Sequence, residues 1–118
     1  MGLLEGQVAI ISGIGPGMGR DAALACVKEG ASVVLAARTP SKVESVAAEV
    51  ADLGGSALAI PTDVTDLDQI NALIEATLTN FGSIDILVNN AFSQPPFATL
   101  EDMELDAWYA SLEINCTS

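Results

Sequence analysis

The stretch QVAIISGIGPGMGRDAALACVKEG, residues 7–30, decides how the chain is read. Its apolar opening, 7–12, runs straight into glycines at alternate positions, Gly13, Gly15, Gly17 and Gly19. An amphipathic stretch then begins at Gly19 and stops at Gly30. Apolar run, glycine turn and helix, in that order, read as the first strand–turn–helix of a βαβ layer. The common G-x-G-x-x-G phosphate loop cannot be laid over these glycines in either register, because its third glycine would fall on Met18 or Arg20.

Working outward, the same alternation repeats. Residues 32–37 (SVVLAA) and 84–90 (IDILVNN) are compact apolar runs of buried-strand length, and 56–61 (SALAIP) is a weaker third. Helical patterns fill the gaps. In 19–30 the residues Ala22, Ala25 and Cys26 form the expected apolar face. In 40–55, Pro40 opens the first turn, Val43, Val46, Ala47 and Val50 repeat at helical spacing, and Gly54-Gly55 stops the helix. In 65–82, Thr65 is the expected N-cap and Ile70, Leu73, Ile74, Leu78 and Phe81 form one stripe. A loop containing Pro95 and Pro96 follows, and ELDAWYASLEINCTS, 104–118, reads as a last helix. The spacing predicts an α/β fold, β-α-β-α-β-α-β-α, with a parallel sheet and helices on both faces.

Composition narrows the function classes. A chain of 118 residues, half of them hydrophobic and 4% aromatic, is one domain able to bury a core. A net charge of −12 argues against nucleic acid as a general partner. All four bases, Arg20, Lys28, Arg38 and Lys42, fall in the first 42 residues beside three acids, and the rest carries thirteen acids and no base. An anionic ligand is therefore expected to meet the first third of the chain. Cys26 and Cys116 are too few and too far apart for a disulfide framework or a metal site. No signal peptide, myristoylation pattern or membrane-spanning run is visible, so a cytoplasmic protein with no membrane partner is the expectation.

A glycine turn at the start of a helix presents free N–H groups and the positive end of the helix dipole, a ready site for a pyrophosphate. Gly13 would turn the chain sharply out of the strand, Gly17 would let phosphate approach the backbone, and Gly19 would let the helix pack close. Gly15 is then a spare and Pro16 stiffens the turn. The spacing Ser12-Gly13-x-x-x-Gly17-x-Gly19 resembles the T-G-x-x-x-G-x-G loop of the short-chain dehydrogenases/reductases, with Ser for Thr. Asp63-Val64 after the third strand, Asn89-Asn90-Ala91 after the fourth and the helix LDAWYASLEIN leading to Asn115 resemble further motifs of that family in the right order.

The resemblance implies a Rossmann-type doubly wound parallel sheet, N-terminal part only, with strand order 3-2-1-4. It assigns cofactor contacts to Ser12, Gly13, Gly17, Met18, Gly19, Asp63, Val64, Asn90 and Ala91, and a catalytic-relay role to Asn115; Arg38 joins the expected cofactor contacts through its charge and its place after the second strand. Plainer readings stand beside these: Asp63 caps a turn before Thr65, Asn89 and Asn90 are turn formers or tie the central strands, and Arg38 is a surface charge. Where the family has Gly after N-N-A, this chain has Phe92, which either packs on the sheet or faces a pocket with Phe97.

The cofactor class follows from the end of the second strand. An acid there usually meets the ribose of NAD(H), but Ala37 holds that position and Arg38 follows, with Thr39, Ser41 and Lys42 nearby. Arg can bind a 2′-phosphate bidentately where an acid would repel it, so NADP(H) is the expected cofactor and NAD(H) the alternative. The resemblance implies hydride transfer between that cofactor and a small carbonyl/alcohol substrate. The family's Tyr-x-x-x-Lys has no counterpart, because Glu113 stands four residues after Tyr109, the sole tyrosine. Residues 1–118 are therefore expected to be a half domain from a chain roughly twice as long, inactive alone and homo-oligomeric when whole. The rival readings are a non-catalytic nucleotide-binding module and an S-adenosylmethionine binder, the latter disfavoured by Ala37.

Overall fold

A computed structural model describes residues 2–92 and 98–117 of the chain. The elements are β1 (Val8–Ser12), α1 (Met18–Lys28), β2 (Ser32–Ala37), α2 (Pro40–Asp52), β3 (Ala57–Pro61), α3 (Leu67–Phe81), β4 (Ile86–Asn89) and α4 (Leu105–Leu112). The strands form a four-stranded parallel sheet in the order β3-β2-β1-β4. This is the N-terminal arrangement of a Rossmann-type doubly wound sheet, as the alternation and the resemblance predict.

Period-two alternation divides the core between two faces. Ala9 and Ile11 of β1 with Val33 and Leu35 of β2 point to one side, where Ala23 of α1 and Val43, Val46 and Val50 of α2 cover them. Ile10, Val34 and Ala36 point to the other side, where Leu73 of α3 covers them and Phe81 packs at the margin. Both central strands are thus covered on both faces, which is why they contain no alternation of polar residues.

Four local expectations are corrected. First, α1 buries Gly19 and Ala23, whereas Ala25 is exposed. The contact of Gly19 with the end of β1 sets the helix rotation, so the buried positions follow the i, i+4 line from 19 to 23. Second, α3 is capped by Asp66, not Thr65: the Asp66 side chain accepts from the backbone N–H groups of Asp68 and Gln69. Thr65 is occupied elsewhere, donating its backbone N–H and its hydroxyl to Asp63 Oδ1 at 2.9 and 2.7 Å. Third, the α3 stripe is rotated: Leu73 and Thr77 are buried, while Ile74 and Leu78 are exposed. Thr77 tolerates burial because its hydroxyl donates to the Leu73 carbonyl at 2.7 Å. Fourth, the last helix is α-helical only through Leu112, and Glu113–Thr117 widens into a π-helical turn. Ile114, Asn115, Cys116 and Thr117 are all weak α-formers.

Cys26 and Cys116 are both free, and burial pushes the Cys26 thiol up, away from thiolate chemistry. Among the described residues, no helix is long and apolar enough to cross a membrane.

Candidate functional site

A cavity of about 390 Å³ lies across the carboxyl ends of the strands. In open α/β sheets that rim is where ligands bind, at the point where the strand order reverses, here between β1 and β4. Every strand contributes to its wall. Thr62, Asp63 and Val64 follow β3, Ala37 ends β2 and Arg38 and Thr39 follow it, the glycine loop follows β1, and Asn90, Ala91 and Phe92 follow β4. Lys42 of α2, Met18 of α1 and Ile114 complete it.

The glycine loop is fitted to its neighbours at two points. Gly13 has φ +77°, and a Cβ there would meet the backbone of Asn90 and Ala91 at 2.6 Å. A Cβ on Gly19 would run into the Gly13 carbonyl oxygen, so only glycine lets α1 start against the end of β1. Gly15 and Gly17 are different: nothing lies within 4 Å of where their Cβ would be, and both border the cavity. Gly17 is also the N-cap of α1 and supplies no side-chain cap. The first rung of the helix is Asp21 N–H to Gly17 O at 3.1 Å, which leaves the N–H groups of the preceding turn without partners in the helix.

Backbone bonds fix the loop to the sheet. The Gly13 N–H donates to Ala36 O at 2.9 Å. Asn90 Nδ2 donates to Gly13 O at 3.1 Å, so Asn90 ties β1 to the chain leaving β4. Ser12 joins the same tie, donating to Val88 O and accepting from the Asn90 N–H, each at 3.3 Å. The Ser12 side chain is therefore engaged between the strands and does not line the cavity.

The cations separate into two groups. Arg20 is taken by Glu49 of α2: its Nε lies 2.8 Å from Oε2 and its Nη2 2.6 Å from the same oxygen. That pairing holds the Glu49 carboxyl below the usual carboxylate range and Arg20 above its own. Arg38 and Lys42 are exposed on the cavity wall, and among the described residues both ion pairs belong to Arg20. Asp63 is held below the ordinary carboxyl range, first by the Thr65 hydroxyl and N–H and then by the positive charge of Arg38. It therefore caps a turn and lines the cavity at once.

The predicted residues Gly13, Gly17, Met18, Gly19, Arg38, Asp63, Val64, Asn90 and Ala91 all converge on this cavity. Asn115 does not line it; its Nδ2 donates to Ser111 Oγ at 3.0 Å, and its neighbour Ile114 reaches the wall instead. Ile14, Thr62 and Ile114 were not expected. Thr62 could have been found as the residue between the third strand and Asp63, but nothing in the local pattern marks Ile114. Phe97 lies outside the described residues.

The profile of the short chain dehydrogenases matches residues 7–118. The chain is 35% identical over 115 residues to a short chain dehydrogenase/reductase of Colletotrichum higginsianum, covering 98% of this chain and 43% of that protein. It is 37% identical over 113 residues to another of Aspergillus oryzae, covering 95% and 43%. Among solved structures, an NAD+-bound xylitol dehydrogenase has TM-score 0.93 at 30% identity, over 98% of this chain and 44% of that one. A 3-ketoacyl-ACP reductase of Sinorhizobium meliloti has TM-score 0.89 at 36% identity, over 92% and 43%. The chain thus spans less than half the length of these relatives. A profile match over 7–118, on a sheet of order β3-β2-β1-β4, establishes that the chain belongs to the short-chain dehydrogenase/reductase family.

Proposed function

We propose that this chain is the dinucleotide-binding half of an oxidoreductase that uses NADP(H) in preference to NAD(H). The observation that carries the preference is the pairing of Arg38 and Lys42 on one wall of the cavity, with Ala37 where an acid would face a ribose. An acid at that point would repel a 2′-phosphate, whereas a guanidinium and an ammonium attract it. The cavity fits a dinucleotide by its donor chemistry: the uncapped start of α1, widened by Gly15 and Gly17, offers backbone N–H groups to a pyrophosphate.

In this reading Gly17, Met18 and Gly19 hold the pyrophosphate, and Asp63 and Val64 border the adenine. Asn90 and Ala91 border the second ribose, and Gly13 and Ser12 keep the loop in place. The cofactor, when bound, supplies the hydride that moves to or from a carbonyl/alcohol substrate. Proton transfer at the substrate oxygen belongs to a Tyr-x-x-x-Lys pair that has no counterpart in these 118 residues, so it falls to the remainder of a longer, homo-oligomeric protein. Asn115 enters the relay there.

Titration of the intact protein with NADPH and NADH tests the reading. NADPH should bind more tightly, and Arg38→Ala should weaken it roughly 10- to 100-fold, the worth of a charge-assisted hydrogen bond, while leaving NADH nearly unchanged. Tighter NADH binding that ignores Arg38→Ala would reverse the assignment. Binding of S-adenosylmethionine in place of either dinucleotide would remove it.

A further inference from the structure

The two ends of the cavity differ in chemistry. At the β2 end stand Arg38 and Lys42; the chain leaving β4 brings Phe92 to the wall, which the apolar side chains of Met18 and Ile114 also line. Phe92 does not pack on the sheet, for it is 74% exposed, and Met18 is 77% exposed. Two large apolar side chains held open to water on the wall of a cavity leave area that an apolar ligand surface would cover. The N-N-A-G motif that residues 89–91 resemble continues with glycine where this chain has Phe92.

We propose that Phe92 is a positioning residue for the nicotinamide end of the cofactor, an apolar collar against which that ring is held out of water. The proposal rests on the dinucleotide reading above. The cations fix the direction: a phosphorylated ribose held by Arg38 and Lys42 places the adenosine half over β2 and β3. The molecule then runs past the glycine loop, and its other ring reaches β4. The ring meets a flat aromatic face there and not a bare glycine backbone, and a planar heterocycle stacks on an aromatic side chain irrespective of its hydrogen-bonding edge.

The test uses two ligands that share the adenosine half. NADPH carries the nicotinamide ring; adenosine 2′,5′-bisphosphate does not. In the intact protein, Phe92→Gly should weaken NADPH about tenfold and move its bound fluorescence emission toward that of free NADPH. The affinity for adenosine 2′,5′-bisphosphate should stay the same, and Phe92→Leu should keep most of the NADPH affinity. Equal losses for both ligands, or unchanged NADPH affinity and emission in Phe92→Gly, would overturn the collar while leaving the nucleotide site intact. Wild-type protein that binds neither ligand would instead overturn the nucleotide reading, and the collar with it.

Discussion

β1 and β4 lie side by side in register, Ile10 opposite Leu87 and Ile11 opposite Val88, yet they occupy different environments. All five residues of β1 are buried. In β4 burial alternates: Ile86 and Val88 pack on the α1–α2 side of the core, while Leu87 is 59% exposed. Both runs are equally apolar on paper. The difference comes from their neighbours: β1 has a strand on each side and helices above and below, whereas β4 has one strand beside it and one covered face. Burial is a property of position in the sheet, not of the run itself.

The strongest way to break the comparison is at the junction of the two strands. Gly13→Val puts a branched side chain at φ +77° and against the Asn90–Ala91 backbone. It should cost about 3 kcal/mol or more and prevent folding in a marginal background, as read by thermal melts. A melt like that of wild type would mean the junction is looser than described.

A paired substitution sharpens the contrast itself. Ile11→Ala removes a fully buried side chain and should cost about 2–5 kcal/mol in urea unfolding. Leu87→Ala should change stability by less than about 0.5 kcal/mol. A loss above about 2 kcal/mol at Leu87 in the intact protein would show that further chain covers that face, making β4 an inner strand like β1.

The smallest effect lies at the far end of the rim. Asp63 has a folded-state pKa below its unfolded one, so its contribution is present above the unfolded value and fades as pH falls through the folded value. The difference in melting temperature between wild type and Asp63→Asn should hold steady near neutrality and vanish at the acid end of the carboxylate range. A difference that instead grows with acid would show that the turn around Thr65 does not depend on the ionised carboxylate.

Much of this was legible in the chain because the signals were short-range. SVVLAA is β2 at both ends, and Pro40 opens α2, because compact apolar runs and an N1 proline act through local sterics and burial. The glycine spacing, Arg38 and Asp63 were legible for a similar reason: each sits within two residues of a strand end, and strand ends meet at one rim. The cap of α3 was missed because Thr65 and Asp66 are both good N-caps, and the choice fell to Asp63, which drew Thr65 into its own turn.

The order of apolar runs, glycines and caps, by itself, determined the α/β layers, the parallel sheet and the place of the phosphate-type loop, since these follow from period, turn chemistry and chain handedness. Only the tertiary structure decided that Arg20 is spent on Glu49 while Arg38 and Lys42 remain on the cavity, that Ser12 and Asn90 stitch β1 to β4, and that Phe92 stands open on the cavity wall. Those facts depend on which distant segments arrive at the same point, and no local pattern encodes the distance between them.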